Sequence, residues 1–279
     1  MIDGIITRER MEKWKFTSPE AKGFHPVILP GIADCQQIYL YRLNLDEKET
    51  FLLNPSLLSR DEGLKNIPLE MNAVCISGSA EIENQVFCEA AEKLDSFYIT
   101  SGAVTKITAR EDRTVLYIGG ALDEGYGTPY FRRFDPSLPV GDIHQIHGKG
   151  VGQREVFMTC GPEVNASRIE AGITWSGNGS WTSWPPHQHE RELEEVYCYF
   201  DMDAPHFGVQ LSYIEPGEIH NAVAHTVCSG SMVLAPRGYH PTVASPGTRN
   251  TYFWFMAAHS HETRRYDLAV ADPLRQDLN

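Results

Sequence analysis

At 279 residues, 42% hydrophobic and 22% charged, the chain has the balance of a globular protein with core enough for one large β domain or two ordinary ones. A net charge of −13 argues against a nucleic-acid surface, which needs a basic face. It leaves room for a small anionic substrate held by one local cation. No run approaches the roughly 18 apolar residues of a membrane span, and the charged start MIDGIITRERMEKWKF lacks the apolar centre of a signal peptide.

In chain order, Thr7 to Trp14 reads as a short helix and Gln37 to Tyr41 as a strand. A second helical stretch runs from Pro55 to Gly63, and strands follow at Ala73 to Ile76 and Val115 to Ile118. Residues Asp135 to Gly152, with Pro136, Pro139 and four glycines, read as a connection, and His144 and His147 fall in it as loop residues. Further strands are expected at Val196 to Phe200 and Thr251 to Phe255. Short Val, Ile, Tyr, Phe and Thr runs bounded by turn formers make an all-β chain of the sandwich or barrel class. Cys35, Cys75, Cys88, Cys160, Cys198 and Cys228 lie far apart, mostly in apolar runs. They read as buried, reduced thiols, which implies a cytoplasmic location.

A weak internal repeat points to two tandem barrels, residues 1–145 and 146–279. Laying Gly102 over Gly238 aligns Asp95 to Gly102 with Ser231 to Gly238, each a polar start, an apolar middle and a closing glycine. On that register Val104 stands where the second half has His240. The first half contains no His-x-His, so only the second is expected to hold a metal.

The chemistry is concentrated in that second half. Pro185-Pro186-His187-Gln188-His189 runs on to Leu193-Glu194-Glu195-Val196-Tyr197, and Pro236-Arg237-Gly238-Tyr239-His240-Pro241 follows some forty residues later. Histidines at i and i+2 share one face of a strand. With a carboxylate and a distal third His they form a mixed N/O set suited to Zn, Mn, Fe or Ni. Strand alternation alone leaves either Glu194 or Glu195 as the carboxylate, because both faces are apolar. The other histidines have bland readings. His259-Ser260-His261 lies in a polar tail and is expected to be solvated, and His220 and His225 flank a strand near the site without ligand spacing. No nucleophile elbow, P-loop or dinucleotide fingerprint is present.

Three His and one Glu across two strands resemble the cupin superfamily. Gly177 to His189, with its aromatic-Pro-Pro-His-x-His, is similar to the signature of the 5-deoxy-glucuronate isomerases of inositol catabolism, as is Pro236 to Pro241. Glu195 to Asp203 instead resembles the related 5-keto-4-deoxyuronate isomerases of pectin breakdown. The resemblance implies two cupin-type jelly-roll barrels, with His187, His189, Glu195 and His240 holding a divalent ion, zinc by preference and manganese, iron or nickel as alternatives. It also implies a homo-oligomer that interconverts aldose and ketose forms of a deoxy sugar acid. The Trp184-Pro-Pro-His-x-His and Pro-Arg-Gly-Tyr-His240 motifs put 5-deoxy-glucuronate first and 5-keto-4-deoxyuronate second, although the interval between His189 and the Glu pair differs from both enzyme groups. A metal-dependent dioxygenase on the same ligands and a non-catalytic sugar-binding cupin are the rival classes.

Metal-polarised carbonyl chemistry of this kind needs a base to move a proton between adjacent carbons. Glu194, a nearby tyrosine or a metal-bound hydroxide would serve. Arg237 is the local cation for a substrate carboxylate. Trp184, Tyr239 and Trp254 are expected to wall the pocket.

Overall fold

In a computed structural model, residues 4–58, 67–189 and 192–274 are described. They form two barrels, each a large and a small antiparallel sheet. The first large sheet has the order Tyr130–Arg132, Ser96–Ile99, Leu69–Ser77, Thr114–Leu122, Tyr39–Leu45, Gly23–Ile28. The second has the order Lys15–Thr17, Ser231–Ala235, Leu193–Tyr199, Arg249–Ala258, Ile169–Asn178, Arg154–Cys160, His144–His147. From the second position onward the two orders follow one plan. The small sheets, Thr50–Leu53 with Thr105–Ala109, Ala80–Glu83 and Cys88–Ala91, and Trp181–Thr182 with Thr242–Ala244, Gly208–Ser212 and Val223–Val227, do the same.

Register carries the repeat to single residues. Met71 lies opposite Ile99 and Gly120, and Glu195 lies opposite Ala235 and Met256. Ile99 and Ala235 are 136 residues apart, and so are Gly120 and Met256, the same interval as Gly102 to Gly238. At that interval Val104 is exposed and His240 is buried.

Central strands such as Leu69–Ser77 and Arg249–Ala258 are buried along nearly their whole length, so their sequences are continuous apolar runs. One face lines a barrel and the other packs between barrels. Small-sheet strands have one wet face and alternate, as in Ala80–Glu83 and Val223–Val227. The shared layer between the barrels contains Ile38, Leu40, Val74 and Ile76 from the first and Ile173, Val196, Cys198, Leu234, Phe253 and Phe255 from the second. The first barrel's interior is filled by Leu43, Leu45, Met71, Ala73, Phe97, Ile99, Ile107, Leu116 and Ile118, all apolar.

Several local expectations change. The first helix shortens to Arg8–Glu12, because Thr7 accepts the Arg10 amide and caps it. Residues 55–57 form a turn, and the remainder of the Pro55 to Gly63 helix beyond Leu58 lies outside the described residues. His144 and His147 are not loop residues but part of a strand that pairs with Arg154–Phe157. Residues 15–17 and 144–145, on the first side of a division at 145/146, hydrogen-bond into the second large sheet. All six thiols are free. Cys35, Cys75, Cys160 and Cys198 are buried, whereas Cys88 and Cys228 are exposed, the former on a short edge strand and the latter in the turn before Ser231–Ala235.

Candidate metal centre

The Leu193–Tyr199 strand settles which carboxylate faces which way. Val196 and Cys198 enter the layer between the barrels, so residues of the other parity, Glu195, Tyr197 and Tyr199, point into the second barrel. Glu194 shares the outward parity. Its carboxylate accepts the backbone amides of Gln36 and Gln37 at 2.8–2.9 Å, and burial raises its pKa against the pull of those amides. The expectation that Glu194 acts as the base therefore gives way, because it serves a backbone turn of the other barrel on the far face of the strand.

Inside the second barrel three imidazoles converge. The ligand atoms of His187, His189 and His240 lie within 4.8 Å of one another. His187 and His189 come from the strand His187–Gln188 and the residue after it. His240 follows the Gly238 turn, where φ is +78° and a Cβ would collide with the Tyr213 carbonyl. A glycine is needed to bring His240 inward at this position. Glu195 Oε2 lies 2.8 Å from His189 Nε2 and 3.1 Å from His240 Nε2.

The hydrogen bonds fit these rings for coordination. His187 Nδ1 and His240 Nδ1 lie 3.0 and 2.9 Å from the carbonyls of Pro185 and Gly238. A ring that donates Nδ1–H to a carbonyl keeps its Nε2 lone pair for a metal. His240 Nε2 is near the Glu195 oxygen but off hydrogen-bond alignment, and it and His189 Nδ1 are buried without a hydrogen-bond partner among the described residues. An orphaned nitrogen beside a buried carboxylate, with a second on the neighbouring ring, is costly for a purely structural cluster. They suit a site completed by a cation.

Electrostatics agree. Burial, then the neighbouring His240 and His189, pushes His187 down to about 3, so its ring is neutral at physiological pH. Burial pushes Glu195 up, but the hydrogen bond from His189 and the closeness of His240 outweigh it and hold the carboxyl below its ordinary range. The Tyr197 hydroxyl is raised well above its usual value, first by burial and next by the Glu195 charge. It stays protonated and donates to Ser183 Oγ at 3.2 Å.

His187 and Glu195 line a cavity of about 20 Å³ with Arg154, Ser183, Tyr197, Tyr252 and Trp254. That is room for an ion or a single water. Of the residues expected to touch substrate, only Trp254 lines it. Arg237 lines a separate surface cavity beside Arg8, Glu215 and Glu218. Tyr239 is buried on the outer side, stacked on Tyr213 at 5.0 Å. Trp184 packs against Trp181 at 5.0 Å, and only its carbonyl turns back, to Arg154.

Arg154, Ser183 and Tyr252 were missed by spacing arguments. Tyr252 and Trp254 share a face at i and i+2, which a strand reading carries. Arg154 arrives from a strand some thirty residues earlier, and nothing in the local pattern ties it to the histidines. The remaining histidines divide. His225 is buried and pushed down to about 4 by desolvation and then by Lys15. His261, expected in solvent, stacks on Tyr126 at 3.8 Å and lies 3.1 Å from the Ser167 carbonyl.

Comparison with known proteins agrees with this architecture. The 5-deoxy-glucuronate isomerase of Geobacillus thermodenitrificans is 31% identical over 170 residues, covering 58% of this chain and 59% of the relative. That of Shouchella clausii is 36% identical over 171 residues, covering 58% and 60%. The matched region thus spans less than two thirds of these relatives' length. Among solved structures, an IolB-like protein from Salmonella typhimurium aligns over 88% of this chain and 92% of its own, with a TM-score of 0.69 and 21% identity. Oxalate decarboxylase from Bacillus subtilis aligns over 96% and 80%, with a TM-score of 0.59 and 12% identity, a likeness of fold. Residues 33–272 match the family model of the KduI/IolB proteins, and the chain belongs to the KduI/IolB family.

Proposed function

We propose that this protein is a divalent-metal aldose–ketose isomerase of a deoxyuronate, with 5-deoxy-glucuronate as substrate. The observation that carries the reading is the convergence of His187, His189, His240 and Glu195 inside the second barrel, beside a small cavity that His187 and Glu195 line, in a family whose relatives bear that activity's name. An ion held there, zinc or another first-row divalent metal, would polarise a substrate carbonyl and stabilise the charge that develops as the neighbouring carbon loses its proton.

The chain's own residues do the rest. The carbonyls of Pro185 and Gly238 hold the rings of His187 and His240 in one tautomer. Tyr197 Oη, kept protonated by burial, is positioned to donate to a substrate oxygen. Trp254, Met256 and Val156 form an apolar wall that excludes water. A six-carbon acid needs more than about 20 Å³, so its entry requires this lining to shift. The first barrel, within residues 1–145, acts as scaffold in this reading, its interior being filled with apolar side chains. Free thiols fit a cytoplasmic location, and a homo-oligomer follows from family resemblance. Among the described residues no helix is long and apolar enough to cross a membrane.

The test is a substrate panel read by NMR with metal-loaded protein. Conversion of 5-deoxy-glucuronate, with deuterium entering the product in heavy water, is the expected result. Conversion of 5-keto-4-deoxyuronate alone would move the protein to uronate breakdown. Inertness to both, with oxygen consumed on another substrate, would replace isomerisation with dioxygenase chemistry.

A further inference from the structure

We infer that Arg154 anchors the carboxylate of the sugar acid, an assignment that deepens the isomerase reading and rests on it. The side chain lines the same small cavity as His187 and Glu195, and it is the one cation among the described residues that do so. Its Nη1 donates to the Trp184 carbonyl at 2.9 Å. That carbonyl lies three residues before His187, so the guanidinium is tied to the segment that carries the histidines.

What the guanidinium lacks is an acid. Arg10, Arg132 and Arg168, also partly or fully buried, pair with Asp34, Glu163 and Glu124 at 2.5–2.8 Å. Among the described residues no carboxylate lies within ion-pair distance of Arg154. Its neighbour His147 is pushed below its ordinary range, first by burial and then by the Arg154 charge itself, so it adds no second positive charge beside the guanidinium. A half-buried guanidinium with a planar fork and no acid is suited to a carboxylate brought by a ligand.

Charge balance points the same way. With neutral imidazoles, the single negative charge of Glu195 leaves a bound divalent ion with one net positive charge, and Arg154 adds a second. The cavity then carries two net positive charges and favours an anionic ligand over a neutral one. The alternative cation, Arg237, lines a separate surface cavity where Arg8 and Arg237 are already balanced by Glu215 and Glu218, and it is not among the residues around His187 and Glu195.

The experiment measures binding of D-glucuronate and of neutral D-glucose to metal-loaded wild type, Arg154→Gln and Arg154→Lys by calorimetry, with metal content and melting recorded for each. Wild type should prefer glucuronate. Arg154→Gln should lose about 100-fold in glucuronate affinity with no change for glucose. Arg154→Lys, which keeps the charge but not the fork, should recover part of the loss. Retention of the glucuronate preference by a folded, metal-loaded Arg154→Gln overturns the assignment, as does a wild type with no preference. Turnover of the deoxyuronates, followed in parallel, separates the two claims. An Arg154-dependent preference without turnover supports the anchor and sinks the isomerase, whereas turnover with an unchanged KM in Arg154→Gln sinks the anchor alone.

Discussion

At the scale of single residues, Glu194 and Glu195 show how one step along a strand separates two roles. Glu195→Gln removes the charge toward which His189 and His240 converge, so bound metal and activity should both fall by orders of magnitude. Glu194→Gln should keep the metal. It should instead destabilise the fold by about 1–3 kcal/mol, because an amide replaces a carboxylate that accepts two backbone N–H groups. Metal analysis and chemical denaturation of the two variants distinguish the roles, and the reverse pattern would mean a strand register shifted by one. The pH dependence has a definite sign. Burial raises Glu194 above its unfolded value, so within that window the native state binds more protons than the unfolded chain. Stability must then fall as pH rises from the ordinary glutamate pKa through the raised one. Denaturation midpoints measured across this range should decline less in Glu194→Gln than in wild type. His187→Ala or His240→Ala should each lose most of the bound metal while the far-ultraviolet spectrum stays that of the wild type.

At the scale of elements, strands were legible wherever apolar runs met turn formers. Gln37 to Tyr41, Ala73 to Ile76, Val115 to Ile118, Val196 to Phe200 and Thr251 to Phe255 all fall on or overlap observed strands. Their lengths were not legible, because the Leu193–Tyr199 and Arg249–Ala258 strands are buried on both faces and lose the alternation that marks strand ends. The His-x-His, the Glu pair and His240 were readable as a set from spacing. Arg154 was not, since cross-strand neighbours are chosen by sheet topology rather than by sequence distance. His144 and His147 were misjudged for the same reason. Their Gly-rich surroundings suggested a loop, but an available sheet edge beside Arg154–Phe157 drew them into a strand. Packing between strands adds a further test. At Gly172 a Cβ would stand 2.6 Å from Trp254 Cζ2 and 2.9 Å from the Phe157 carbonyl. Gly172→Ala should push the indole toward the cavity and cost about 1–3 kcal/mol. Loss of activity with a red-shifted tryptophan emission would report that displacement, and unchanged kinetics would show that Trp254 does not shape the site.

At the scale of the whole molecule, the two barrels hold each other through matching carboxylates. Glu70, on the first barrel's Leu69–Ser77 strand, accepts the amides of Ser167, Arg168 and Ile169 at 2.6–2.9 Å. Glu194, on the corresponding strand of the second barrel, accepts Gln36 and Gln37. Each acid thus fixes the chain entering a long strand of the other barrel, Ile169–Asn178 or Tyr39–Leu45. One residue further along, the barrels diverge. Met71 fills an apolar interior where Glu195 faces three histidines. The repeat at Gly102 and Gly238 made this asymmetry visible in sequence through Val104 and His240, whereas the clasp was hidden because buried glutamates look like surface ones in a composition count. If catalysis depends on a metal in the second barrel, titrating zinc or manganese into chelator-treated protein while following conversion of 5-deoxy-glucuronate by NMR will show it. Activity should be absent at the start, rise in proportion to added metal and level off near one ion per chain, and His240→Ala should stay inactive throughout. Full turnover by the metal-free protein, or undiminished turnover by His240→Ala, would show that catalysis does not need a metal at these residues.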